Sequence, residues 1–133
     1  MSIYLINKYE EPKLNSKEIQ AVVNLSPTTP NTHPDIAYHR IADASRISAD
    51  SRAELAGYKE AGEFIHQQHN QGNNVAVHCN NGYQRSIPFL AWYLHAYYDQ
   101  PIETTVESCL DSIQSIDSRQ EYASMVAKLL KNP

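Results

Sequence analysis

Residues 75–90 read Val75-Ala76-Val77-His78-Cys79-Asn80-Asn81-Gly82-Tyr83-Gln84-Arg85-Ser86-Ile87-Pro88-Phe89-Leu90. The stretch has three parts. Residues 75–78 are a short, β-branched run without polar alternation, the pattern of a strand buried on both faces. Residues 79–86 are too polar for a core and too few for an element. Residues 87–98 form a largely apolar helical segment with Pro88 in its first turn, where proline is tolerated. A strand that passes through a short polar loop into a helix is the building unit of open α/β sheets. Ligands of such sheets bind outside the carboxyl ends of the strands.

The loop in the middle is built for an anion. It opens a helix, whose unpaired N–H groups and positive dipole end attract negative charge. A tight turn around one point can aim several more N–H groups inward as a nest. Gly82 supplies the dihedral freedom that such a cradle needs. Arg85 can lay a bidentate fork on two phosphate oxygens. Cys79 would sit at the floor of the cradle. N–H groups and a guanidinium around a thiol lower its pKa from ~8.5 into the ~3.5–7.5 range and favour the thiolate. Ser86 can donate its hydroxyl to the sulfur and help it leave when an intermediate breaks down. A lone cysteine is more often an inert packed thiol. Its joint occurrence with Gly82, Arg85, a preceding strand and a following helix argues for a nucleophile instead.

Working outward, residues 21–25 read as a second buried strand, ended by Ser26-Pro27. Residues 26–35 are a proline-containing loop. Residues 36–41 read as a further strand that feeds a polar loop. A helix is expected from about Asp50 to Asn70, carried by Leu55, Tyr58, Phe64 and Ile65 and broken at Gln71-Gly72. Residues 102–116 and 118–130 read as two more helices, the last one capped by Asp117 or Ser118. Strands alternating with helices predict one α/β domain over residues 1–133, with a central, mainly parallel sheet flanked by helices.

The chain has 133 residues, which suits one domain, and a formal net charge of −4. That balance argues against nucleic acid or an anionic membrane as the principal partner. The N-terminus lacks the basic and apolar regions of a secretory signal. No apolar run reaches the ~20 residues that span a bilayer. An intracellular, reducing, cytoplasmic location is therefore expected. The two cysteines, Cys79 and Cys109, cannot staple a scaffold. Cys109, at helical spacing from Val106, Leu110 and Ile113, is expected in the core. His66-x-x-His69 lacks the companions of a zinc site and is expected on a surface helix face.

His78-Cys79-x-x-Gly82-x-x-Arg85-Ser86 resembles the signature of the cysteine-dependent protein tyrosine phosphatases, and its context resembles their dual-specificity branch. Val22-Val23-Asn24-Leu25 is similar to an early strand of that family, and Ala91-x-Tyr93-Leu94 to its helix after the signature. Arg119 weakly resembles a residue of its C-terminal helix. The resemblance implies a protein tyrosine phosphatase-like fold and a two-step mechanism. Cys79 attacks phosphorus and forms a cysteinyl-phosphate. Arg85 and the loop Asn80, Asn81, Gly82, Tyr83, Gln84 and Ser86 hold the phosphate oxygens. His78 supports the loop by donating to backbone carbonyls. An upstream aspartate protonates the leaving oxygen and then activates water. Asp43, after the strand ending at Ile41, fits that place. Asp50 is its competitor, although it also suits the cap of the next helix. No metal or cofactor is called for.

The chain departs from the family pattern at Gln84, where a small residue is usual, and at Pro88. Neither change removes a reacting group, so both bear on specificity. The loop carries no lysine, which favours phosphotyrosine or phosphoserine/threonine in a protein as substrate. Tyr83 could stack on a substrate ring at the pocket mouth. The Cys79-Asn80 pair also resembles enzymes of inositol pyrophosphates, and an RNA 5′-phosphatase is a further alternative that the acidic balance weakens. A pseudophosphatase that binds phosphate without turnover would ordinarily lack the cysteine, the arginine or the acid. An arsenate-reductase-like enzyme would carry its cysteine loop near the N-terminus. Oligomeric state has no sequence signal here.

Overall fold

β1 (Ile3–Leu5), β2 (Ala21–Asn24), β3 (Ala37–Arg40) and β4 (Val75–His78) form one sheet in the order β1-β4-β2-β3. Every pairing is parallel. The structure, a computed structural model, describes residues 2–26, 28–41, 52–79 and 85–111. The helices are α1 (Arg52–Asn70), α2 (Ser86–Tyr98) and α3 (Ile102–Asp111). The expected α/β architecture with a parallel sheet is therefore what the chain adopts.

The two central strands, β2 and β4, are buried along their whole length. That explains the apolar runs Ala21-Val22-Val23 and Val75-Ala76-Val77, since neither face meets water, and leaves the polar Asn24 and His78 to the buried strand ends. One face, through Val23, Val75 and Val77, packs on Tyr58, Ala61 and Ile65 of α1, Phe89 and Tyr93 of α2, and Ile102 and Val106 of α3. Fully burying each large apolar side chain of this set contributes about 1.5–3 kcal/mol. The opposite face, through Val22 and Ala76, is covered by Ile6, Ile19, Ile36, Leu14 and Tyr38. No α-helix belongs to that second cluster among the described residues. Its cover comes from the segment joining β1 to β2, which contains a 3-10 turn at Glu11–Lys13, with Ile36 and Tyr38 added from around the start of β3.

α1 buries the positions that its period sets inward. Lys59, Glu60, Glu63 and His66 lie on its exposed side. It stops where the Gly72 N–H bonds to the His69 carbonyl at 2.9 Å. Gly72 has φ +79°, the left-handed conformation that glycine adopts without strain. α2 ends on the same device with a different residue. Asp99, at φ 55°, turns its N–H onto the helix's last carbonyls, and Pro101 follows. The buried Pro88 lies in the first turn of α2, where backbone N–H groups have no helical partner.

Three expectations are adjusted. β1 is an added strand, an edge of the sheet held by β4 through Ile3, Tyr4 and Leu5. His69 is not on a surface face: it is 7% exposed and meets the Tyr98 hydroxyl at 3.3 Å through Nδ1. α1 turns that side of its last turn toward the tyrosines of α2, and His66 alone stays outside. The expected helix 102–116 is present over Ile102–Asp111. Its remaining residues and the expected helix 118–130 lie outside the described residues.

Candidate active site

All four strands run the same way, so their carboxyl ends, Leu5, Asn24, Arg40 and His78, gather along one edge of the sheet. Cys79 leaves that edge directly after β4 and is 4% exposed. Chain returns at Arg85, which takes the position before the first turn of α2 with φ −100° and ψ −34°. Ser86, the first residue of α2, is fully buried. Its Oγ donates to Cys79 Sγ at 3.1 Å. The strand end and the helix start thus bring sulfur and hydroxyl together, and Arg85 directly precedes that hydroxyl in the chain. Arg85 Nη1 is buried and has no hydrogen-bond partner among the described residues. An unsatisfied buried guanidinium N–H is costly; an anion bound at the cradle would satisfy it.

His78 is fully buried one residue before the sulfur. The loop carbonyls to which it was expected to donate lie outside the described residues; among those described, the group it meets is a carboxylate. His78 Nε2 lies 3.1 Å from Glu11 Oε2, with both side chains buried. The ring is turned off the ideal hydrogen-bond line, and Nδ1 has no partner among the described residues. Glu11 comes from the 3-10 turn and is itself fully buried. Its Oε1 accepts from the Tyr38 hydroxyl, the Thr32 hydroxyl at 3.2 Å and the Thr32 N–H at 3.3 Å. His33 Nε2 bonds to the Glu11 carbonyl at 2.8 Å.

Burial pushes the Glu11 carboxyl up. The contacts with His78, Tyr38 and Thr32 outweigh it and hold the group below the ordinary glutamate value. Tyr38 moves the other way, to about 12, chiefly through burial and then through the neighbouring Glu11 carboxylate. Sequence reasoning did not find Glu11. It stands in Tyr9-Glu10-Glu11-Pro12, which reads as solvated, and nothing local marks one glutamate of the pair for burial.

A second polar cluster stiffens the same edge. Arg40 Nη1 donates to the Ser26 carbonyl and Nη2 to the Thr29 carbonyl at 2.7 Å. Asn24 Nδ2 donates to the Thr29 carbonyl at 2.9 Å. Asp43, Asp50, Asn80, Asn81, Gly82, Tyr83 and Gln84 lie outside the described residues.

A strand-end cysteine that receives a helix-start serine, directly after an arginine at the helix start, agrees with the family that matches. The profile of the dual specificity phosphatase catalytic domain covers residues 3–128. The chain belongs to the dual specificity phosphatase family. This dual specificity phosphatase has no match among curated proteins. Its fold recurs in solved structures of low identity. Human DUSP28 is similar with a TM-score of 0.69 at 17% identity, over 93% of this chain and 82% of that one. A mouse dual specificity phosphatase complexed with zinc tungstate gives 0.71 at 15%, over 97% and 82%. PTPMT1 in complex with PI(5)P gives 0.63 at 16%, over 98% and 90%. Family membership makes the chain a phosphatase domain. Among its described residues no helix is long and apolar enough to cross a membrane.

Proposed function

We propose that the chain hydrolyses phosphomonoesters of proteins, phosphotyrosine or phosphoserine/threonine, through a cysteinyl-phosphate on Cys79. The observation that carries this reading is the Ser86 Oγ to Cys79 Sγ hydrogen bond of 3.1 Å, at a helix start where Arg85 keeps a buried Nη1 with no hydrogen-bond partner among the described residues.

In the first step the Cys79 thiolate forms the S–P bond as the P–O bond to the leaving group breaks. Arg85 and the amides of residues 80–86 meet the phosphate oxygens and the charge of the transition state. Asp43 gives its proton to the departing oxygen. In the second step the Asp43 carboxylate takes a proton from water, and the water oxygen attacks phosphorus. The S–P bond breaks, inorganic phosphate leaves and the thiolate returns. The hydroxyl of Ser86 stabilises that departing sulfur. The chemistry needs Cys79 reduced, which suits a cytoplasmic enzyme.

The lysine-free loop favours a protein substrate over a highly charged inositol phosphate. A phosphoinositide is the second reading, favoured by a fold neighbour, PTPMT1, that is seen in complex with PI(5)P. The test is hydrolysis of para-nitrophenyl phosphate by the reduced chain, followed by trapping with Cys79→Ser. Turnover that Cys79→Ser abolishes supports the reading. Equal rates in both proteins would refute it. Phosphopeptides, phosphoinositides, inositol pyrophosphates and 5′-triphosphorylated RNA offered to the trapping variant then sort the substrate class.

A further inference from the structure

Glu11 is 67 residues from His78 along the chain, yet the two side chains meet in a fully buried contact. Burying a carboxylate costs far more than burying an amide unless it is paired. The carboxylate divides its two oxygens unequally. Oε1 takes three donors, from the Tyr38 hydroxyl and from the Thr32 hydroxyl and N–H. Among the described residues Oε2 meets His78 Nε2, at 3.1 Å and off the ideal hydrogen-bond line. A carboxylate oxygen cannot donate, so an imidazole nitrogen held against it must carry the proton.

We infer that Glu11 is a positioning residue for the nucleophile: it holds a proton on His78 Nε2 and so fixes the tautomer and the ring at the strand end that carries Cys79. This rests on the phosphatase reading of the Cys79 site for its consequence, and on the geometry of the buried pair for its existence. Tyr38 and Thr32 in turn hold Glu11. Among the described residues, the other charged and titratable groups of the neighbouring elements do not bond to Nε2. On β2, the residue in register with His78 is the uncharged Asn24. On β3, Arg40 is turned onto the Ser26 and Thr29 carbonyls. His33 engages the Glu11 carbonyl rather than its carboxylate. Arg85 stands at the start of α2, on the far side of Cys79 in the chain.

The isosteric Glu11→Gln change makes the inference sharp. The Thr32 N–H can only donate, so the glutamine carbonyl must take the Oε1 place. Its amide NH₂ then occupies the Oε2 place and points a donor at His78 Nε2. Nε2 must now accept, and the proton moves to Nδ1. One atom exchange, with the shape kept, reverses the tautomer.

The experiment is ¹⁵N NMR of the imidazole rings in the reduced, full chain, with His78 assigned by His78→Asn, together with steady-state kinetics on para-nitrophenyl phosphate. The wild type is expected to show the Nε2–H pattern for His78. Glu11→Gln is expected to show Nδ1–H and to lose about tenfold in kcat, with KM within about twofold. Tyr38→Phe, which removes one donor from Oε1 only, is expected to keep Nε2–H. An Nδ1–H signal in the wild type would overturn the inference even if Glu11→Gln failed to fold. So would a folded Glu11→Gln with unchanged tautomer and kcat. The NMR readout needs no turnover, so an inactive wild type with the Nε2–H pattern would refute the phosphatase reading and leave the Glu11–His78 pairing standing.

Discussion

The Ser86 hydroxyl donates to the Cys79 sulfur at 3.1 Å, with both residues buried. The relationship joins the end of a central strand to the first residue of a helix. It places a hydrogen-bond donor on the atom that must leave when a cysteinyl-phosphate is hydrolysed. A hydrogen bond to a charged group contributes about 1.5–3 kcal/mol. Ser86→Ala should therefore lower kcat by roughly 10–100-fold and slow the second step more than the first. Rapid-quench kinetics should show a burst of alcohol product close to one per active site. A variant that loses the burst and the steady state equally would contradict this role.

The general acid should show itself by pH. Asp43→Asn removes a group that must be protonated to assist the leaving oxygen, so it should lower kcat by about 10²–10⁴-fold. The basic limb of the kcat–pH profile should flatten as well. Leaving groups of low pKa need little protonation, so the loss should shrink for activated aryl phosphates. If Asp50→Asn produces this signature and Asp43→Asn does not, the assignment passes to Asp50.

The buried carboxylate and its tyrosine should shape stability at both ends of the pH scale. Glu11 is held below its ordinary value. Its contribution is complete above the unfolded value of ~4.3 and is lost as pH falls through the lower folded one. Tyr38 is raised to about 12. Its contribution is complete below the unfolded value of ~10 and is lost as pH climbs toward the folded value. Urea midpoints should fall more steeply for the wild type than for Glu11→Gln in acid. They should fall more steeply than for Tyr38→Phe above pH ~10. Parallel curves would deny that either group titrates differently on folding.

Two helix ends give a paired test with opposite signs. Gly72 has φ +79°, and a Cβ there would meet nothing within 4 Å. The cost of Gly72→Ala is then conformational alone, about 1 kcal/mol. Asp99 adopts φ 55° at the end of α2, so Asp99→Gly relieves a penalty and should stabilise by up to about 1 kcal/mol. Each should move Tm by roughly 2–5 °C, downward for Gly72→Ala and upward for Asp99→Gly. Calorimetry on the two single variants decides it.

By itself the sequence determined the features whose causes are local. Val75 to Val77 spell a doubly buried strand because no polar residue interrupts them. Cys79, Arg85 and Ser86 fall within eight residues, so strand, turn and helix suffice to bring them together. The glycine break at Gly72 and the proline at Pro88 mark helix ends through backbone restrictions that belong to single residues. What only the tertiary structure decided depends on partners distant in the chain. Ile3–Leu5 is too short and too mixed to announce a strand, and it becomes one by pairing with β4. His69 shares its helix face with exposed neighbours and is buried only because the tyrosines of α2 pack against it. Glu11 looks like any solvated glutamate beside Glu10. It reaches His78 because the segment after β1 folds over the face of the sheet that carries Val22 and Ala76, where burial makes a carboxylate demand a proton donor and the strand end supplies one.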